Sequence, residues 1–275
     1  MKKTLKHMIL TVGFTVFTTF LVTTTYFNST TQAASVLDSN ELSDDEFLAD
    51  LDGDGNEDSV MRVKKEGVDE SSYGEVSIVK SQANEVNTMN SVFYDGARYK
   101  VVSIEQNAFR NNTELTAIRL NKAITKIPSG AFYGCTNLQT VDKCYVETYD
   151  SKSFSYCSSL ETMDMNCAVS IGTSAFSFCT SLEKVELSKV ETVSRKAFYS
   201  CTGIAEITLG SNTTSVGANA FASCETVESV TIESKQVKFG FSSFKNSVVE
   251  SLSVVKSKSN KSYFKKIGIA IDNYL

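Results

Sequence analysis

Alternating carboxylates are the first residues in this 275-residue chain whose types and spacing could do chemistry. Asp50, Asp52, Asp54 and Asp58 stand at positions 1, 3, 5 and 9 of a loop, with Gly55 at position 6 and Asn56 at position 7. Alternate aspartates converge on one oxygen-lined hollow, and a glycine permits the sharp turn that closes it. Asn56 would add its backbone carbonyl. Hard oxygen donors in this pattern point to calcium. Position 12, where a complete EF-hand loop places a bidentate glutamate, is Met61, and position 8 is Glu57. The expected site is therefore moderate or weak in affinity. The competing reading is an acidic, glycine-rich turn between two short strands.

Cysteine is the other reactive type, with seven copies. Five of them, Cys135, Cys157, Cys179, Cys201 and Cys224, each follow a phenylalanine by three residues. That register reads as a stacked interior column in which cysteine acts as a small hydrophobe. Cys144 and Cys167 lie off the column and 23 residues apart. That spacing, about one coil, allows them to face each other on adjacent coils, where a disulfide is one reading and two free thiols the other, because neighbouring strands lie about 4.8 Å apart. The only histidine is His7. It falls in a segment expected to be removed, which excludes catalysis by an imidazole base and zinc sites that contain histidine.

That segment is a secretory leader over residues 1–33. Lys2, Lys3 and Lys6 form its basic start, and an apolar run from Met8 to Val22 follows. Small residues at Thr31 and Ala33 place cleavage after Ala33, or one residue later. The apolar run is short and rich in Thr for a spanning helix, so no transmembrane segment is expected in the mature chain. Losing three lysines leaves 24 basic and 32 acidic side chains, a net charge near −8. That balance argues against a nucleic-acid role, since phosphate binding needs clustered Lys and Arg. The expected location is extracellular, with the cell surface as an alternative.

The elements that must carry these residues follow from a period. A small residue and Phe recur in AFRNNTEL from Ala108, AFYGCTNL from Ala131, SFSYCSSL from Ser153 and AFSFCTSL from Ala175. AFYSCTGI from Ala197, AFASCETV from Ala220 and the weaker SFKNSVVE from Ser243 continue the run. The phenylalanines are spaced by 22 or 23 residues. Five residues before each stands an apolar column: Ile104, Ile127, Tyr149, Ile171, Val193, Val216 and Phe239. Nine after stand Ile118, Val141, Met163, Val185, Ile207 and Val230. Eleven after stand Leu120, Lys143, Met165, Leu187, Leu209 and Ile232, with Lys143 the one clear break. In the last coil the strand positions slip by one, to Leu252 and Val254. A unit this short cannot bury its own apolar side, and stacking copies joins the columns into one interior. The expected fold is a solenoid.

The unit resembles the BspA-type leucine-rich repeat of bacterial secreted and surface proteins. VETVSRKAFYSCTGIAEITL, from Val190 to Leu209, is its best copy. The resemblance implies a β-rich leucine-rich-repeat solenoid over 92–255, with about seven coils. It implies one strand per coil on a concave face, and short turns or 3-10 segments around Ala-Phe on the convex side. It also implies adhesion or partner binding. A small β-type segment, 34–91, precedes the repeats, and its aspartate loop is similar to the calcium loops of FG-GAP and dockerin-type repeats. Asp95-Gly96 between apolar runs predicts a hairpin that covers the open first coil. Residues 256–275 are expected to cap the other end.

On the strand face, the side chains between the two buried columns should point outward. They are Arg119, Asp142, Asp164, Glu186, Thr208 and Thr231, with Lys184 and Glu206 in the neighbouring column. These eight form the expected footprint for an extracellular protein or glycan, in a chain that is not an enzyme. A spacer protein of the cell envelope without a specific ligand is the alternative. A hydrolase using Asp142 and Asp164 is remote, because two-carboxylate chemistry needs a shaped cleft.

Overall fold

The computed structural model describes residues 42–52, 54–65, 73–88, 91–142 and 145–254. The leader, the C-terminal cap, Lys143 and Cys144 lie outside the described residues.

The repeat builds a parallel β-solenoid in which each coil supplies two strands. Longer strands stack as β4 (Glu85–Asn87), β7 (Ala117–Arg119), β9 (Thr140–Asp142) and β11 (Thr162–Met163). The stack resumes as β13 (Lys184–Leu187), β15 (Glu206–Leu209), β17 (Glu225–Ile232) and β19 (Ser247–Val254). The two ladders are joined where the Glu183 N–H donates to the Glu161 carbonyl at 3.2 Å. Each strand pairs one coil onward, so Ile118 faces Val141 and Val185 faces Ile207. Leu252 faces Val230, as the slipped register of the last coil requires.

One strand per coil is the expectation that the structure corrects. A second sheet of two-residue strands carries the column five residues before each Phe. These are β8 (Lys126–Ile127), β10 (Thr148–Tyr149), β12 (Ser170–Ile171), β14 (Thr192–Val193), β16 (Ser215–Val216) and β18 (Lys238–Phe239). Two residues are enough because one backbone pair per coil suffices to align adjacent copies.

Between the sheets lies the Phe column. Seven rings, from Phe109 to Phe244, are fully buried and stack coil upon coil. Their centroids are 4.8–5.3 Å apart and adjacent planes lie within 16°. Each stacked pair contributes about 0.5–1.5 kcal/mol beyond its area burial.

The Ala-Phe segment is a run of hydrogen-bonded turns with a fixed backbone rule. Two residues before and two after each Phe, φ is positive: Asn107 and Asn111, Gly130 and Gly134, Lys152 and Tyr156, and so on to Ser242 and Asn246. This alternation turns every second N–H toward the next coil. Phe132 N–H donates to the Ser153 carbonyl at 2.7 Å, Gly130 N–H to Ser151 and Gly134 N–H to Ser155.

The N-terminal segment forms a different sheet. β1 (Glu46–Ala49), β2 (Ser59–Lys65) and β3 (Gly74–Ser81) run antiparallel in turn. β3 then pairs in parallel with β6 (Ala97–Ile104), and β5 (Ser91–Tyr94) closes the edge. β5 and β6 are the predicted hairpin. Its two-residue loop has φ of 47° at Asp95 and 75° at Gly96, the left-handed pair of a type I′ turn. Since β4 already pairs with β7, the β-structure is continuous across the 91/92 boundary. A polar cluster ties the segment to the first coil. Arg62 donates to Glu46 at 2.6 Å and to Glu105 at 2.5 Å, and Lys64 and Ser77 also reach Glu105.

Candidate binding face and aspartate loop

The eight side chains expected on the strand face all lie on it. Val185 and Leu187 point inward and are fully buried, so Lys184 and Glu186 between them are exposed. The same alternation exposes Arg119, Asp142 and Glu206 and leaves Thr208 and Thr231 half-exposed. Asp164 follows the end of β11, and its Oδ1 accepts the Asn166 N–H at 2.9 Å. The charges compensate one another. Arg119 Nε donates to Asp142 at 2.8 Å, and Lys184 Nζ sits 3.4 Å from Glu206 and 3.8 Å from Glu186. Exposed pairs of this kind contribute roughly 0–1 kcal/mol, so they leave the face free to exchange partners.

At its N-terminal end the face opens into a groove of about 660 Å³. Val86, Ile118, Val141, Arg119 and Asp142 of the strand face line it. Leu51 and Asp52 of the aspartate loop line it as well. The groove thus joins two features that the sequence placed in separate segments.

Within the loop, Asp50, Asp52 and Asp54 each offer an oxygen within 4.8 Å of the others. Gly55, with φ of 92°, makes the turn, and its N–H donates to Asp50 at 3.0 Å. Asn56 N–H donates to Asp54 at 2.8 Å, and Asp54 N–H to Asp52 at 3.2 Å. Asp52 also accepts the Asn84 N–H at 3.0 Å, which fastens the loop beside β4. Asp58 is not one of the converging three, and the Asn56 carbonyl accepts its N–H at 3.1 Å. Partial burial pushes the Asp58 carboxyl up to about 6 against the Ser59 hydrogen bond, and the charges of Asp52, Asp54 and Asp50 add to the rise. The residues present fit a divalent cation: three carboxylates converge and offer hard oxygen donors within 4.8 Å of one another.

The cysteine column is buried as expected, but it also does something the register alone did not suggest. Each thiol donates to the Phe carbonyl of the coil before it: Cys135 to Phe109, Cys157 to Phe132, Cys179 to Phe154, Cys201 to Phe176 and Cys224 to Phe198, at 2.9–3.2 Å. Asn112 takes the column position in the first coil and donates to Ala83, while Ser247 takes it in the last and donates to Phe221. Burial raises the thiols, to about 12 at Cys135, so they stay protonated and able to donate. The proposed partner of Cys167 falls on Cys144, outside the described residues.

Sequence reasoning also missed a row of aromatic side chains on the turn side, formed by Tyr133, Tyr156, Phe178 and Tyr199. They stand one, two, two and one residues after their column Phe, a shifting offset that a search for identical columns passes over.

The BspA type leucine rich repeat region matches the chain in six copies, over residues 88–189 and 147–267. No curated protein matches it. A leucine-rich repeat protein from Bacteroides ovatus is similar in structure at 18% identity, covering 76% of each chain with a TM-score of 0.42. A leucine rich cell surface protein from Faecalibacterium prausnitzii is similar at 18% identity, covering 77% of each with a TM-score of 0.46. The leucine rich repeat protein of T. pallidum is similar at 19% identity, covering 62% of this chain and 81% of that one, with a TM-score of 0.42.

Proposed function

Because the chain belongs to the BspA-type leucine-rich repeat family, we propose that it is a secreted, non-enzymatic binding protein. Its strand face engages an extracellular protein or glycan. The observation that carries this reading is the groove beside Arg119 and Asp142, continued along the outward charges of Asp164, Lys184, Glu186 and Glu206. A rigid row of polar side chains on paired strands is pre-organised, so a partner pays little ordering cost on binding. The test is a screen of the full chain against matrix proteins, mucins and glycans. An Asp164→Lys, Glu186→Lys double variant should abolish any interaction found. If the screen returns nothing, or if hits survive that variant, the strand face is not the site and the reading as an envelope spacer gains.

The aspartate loop supports a second, smaller reading: calcium held by Asp50, Asp52 and Asp54 stiffens the wall of that groove. A divalent cation would neutralise the three converging carboxylates and fix the loop against Asn84. Calorimetry of the full chain should record saturable heat with millimolar calcium, absent in an Asp52→Asn, Asp54→Asn variant. No heat in the native chain would reject it.

A further inference from the structure

We propose that the turn-bearing side of the solenoid is a second binding surface, built for a linear anionic glycan that carries a charge on every second sugar. Tyr133, Tyr156, Phe178 and Tyr199 stand in a row on four consecutive coils. Tyr156 and Phe178 stack at 4.5 Å with 9° between planes. Tyr133 meets the pair edge-on from one end at 5.4 Å, and Tyr199 from the other at 5.6 Å. With Lys152 and Lys196 the row lines a shallow cavity of about 220 Å³. Tyr156 is 42% exposed, so this is surface and not core.

The backbone shows that the aromatics come at a cost. The position two residues after the column Phe always has positive φ. It is Asn111, Gly134, Ser200, Ser223 and Asn246 in five coils, the small residues that such a backbone accepts. Only at Tyr156 (φ 65°) and Phe178 (φ 63°) is it bulky, and those two are neighbours in contact. A left-handed residue with a side chain costs about 1–2 kcal/mol, and strain of this kind persists where something else is gained.

Charge identifies the occupant. The four arcs at 128–137, 150–159, 172–181 and 194–203 hold Lys152, Arg195 and Lys196 against one carboxylate, Asp150, which Lys126 already pairs at 2.9 Å, in a chain of net charge −5. Arg110 lies over the Tyr133 ring at 4.1 Å and extends the cationic edge. Lys152 and Lys196 occupy the same position in coils two apart, with Ser174 between them. A polymer that advances one unit per coil would therefore meet a cation at every second unit. The ring faces are taken by one another and by Arg110 and Lys196 over Tyr133 and Tyr199, so a sugar meets the exposed ring edges with its C–H groups and offers hydroxyls to serine and tyrosine. An extended peptide repeats same-side groups every ~6.7 Å against a coil spacing of ~4.8 Å, and falls out of step within three coils.

The test is fluorescence anisotropy of the full chain with an end-labelled hyaluronan decasaccharide, whose carboxylates alternate with neutral sugars. A neutral chitin oligosaccharide of similar length and poly-glutamate are the controls. Saturable binding to hyaluronan alone, weakened by salt, is expected. Lys152→Ser, Lys196→Ser should weaken it at least about ten-fold, using a residue that Ser174 shows is tolerated at that position. Tyr156→Gly, Phe178→Gly should do the same, with the melting temperature read alongside because glycine relieves the strained φ while three ring contacts are lost. Asp164→Lys, Glu186→Lys, which reports on the strand face, should leave it unchanged. No saturable binding, equal binding of either control, or indifference to both turn-side variants would overturn the proposal. Loss on the strand-face variant would overturn it as well, by moving the site to the other face.

Discussion

The repeats and the N-terminal sheet are both all-β, yet they are held together in opposite ways. In the repeats, each coil places the same apolar side chain in the same spot, and Phe rings stack at near-constant separation from Phe109 to Phe244. Polar groups are met the same way, by a ladder of thiols each reaching one carbonyl back. In the N-terminal sheet nothing recurs. Arg62 alone joins Glu46 on β1 to Glu105 beyond β6. Its interior is small, with Phe47, Met61, Val76 and Ile78 at its centre. Periodic contacts distribute stability over many equal interfaces, whereas the junction gathers three different donors, Arg62, Lys64 and Ser77, on one carboxylate, Glu105.

The largest expected effect breaks the periodic side. Phe176→Ala leaves a cavity between Phe154 and Phe198, which stack on it from either side at 5.3 Å. The expected loss is about 3–5 kcal/mol, read by denaturant unfolding of the full chain. Hydrogen exchange should rise in β12, β13, β14 and β15 together, because neighbouring coils share that interface. A loss below about 1 kcal/mol would mean that the column is not the source of stability.

Arg62→Met tests the other side. It takes one partner from Glu46 and one from Glu105, which are largely covered, while Ser43 still donates to Glu46 and Lys64 and Ser77 to Glu105. Hydrogen bonds to charged groups are worth about 1.5–3 kcal/mol, and Arg62 is 31% exposed, so the lower end is expected. Exchange should rise in β1, β2 and β3 and stay unchanged from β13 onward. A uniform rise along the chain would show that the two regions unfold as one.

This contrast explains what was legible in the sequence. Six columns at one period identify themselves, and Asp95-Gly96 marked a hairpin that the backbone dihedrals bear out. The second sheet was hidden because its strands are two residues long and leave no alternation to read. The Arg62 cluster was hidden because its members lie 16 and 43 residues apart and occur once. On the strand face the outward side chains were readable from the period. Their mutual pairing was not, since it depends on reach between coils. Neither was the groove, one wall of which comes from a loop outside the repeat.

A smaller effect sharpens the comparison within the repeats. The residue before the column Phe is Ala in five coils and Ser in two. Ser243 Oγ donates to the Gly240 carbonyl at 2.6 Å. Ser153 Oγ is buried with no hydrogen-bond partner among the described residues. An unsatisfied buried hydroxyl costs about 1–3 kcal/mol, so Ser153→Ala should stabilise the fold by about 1 kcal/mol. Ser243→Ala should destabilise it by about 0.5–1.5 kcal/mol. The same substitution with the same sign at both positions would contradict the account of the column.

The smallest effect concerns how each part of the N-terminal segment responds to pH. Glu105 loses hydration by burial, yet the hydrogen bonds from Lys64 and Ser77 and the Arg62 charge outweigh that and hold its carboxyl below the ordinary 4.5. Stability from Glu105 is therefore present above pH 4.5 and lost as the pH falls through the depressed value. Asp58 has the opposite sign. Partial burial and the repulsion of Asp52, Asp54 and Asp50 raise it from 3.8 to about 6. Between those values the folded chain holds a proton that the unfolded chain has released. Stability from Asp58 is thus present below pH 3.8 and lost as the pH rises through about 6. Carbon NMR of the Asp58 carboxyl should give a midpoint near 6 without calcium. Calcium at the three converging aspartates would cancel their repulsion, so the midpoint should fall at millimolar calcium and stay put in Asp52→Asn, Asp54→Asn. A midpoint near 3.8 in the calcium-free chain would remove the electrostatic case for the loop as a cation site. A raised midpoint that calcium leaves unmoved would assign the shift to burial alone and count against calcium as the wall of the groove.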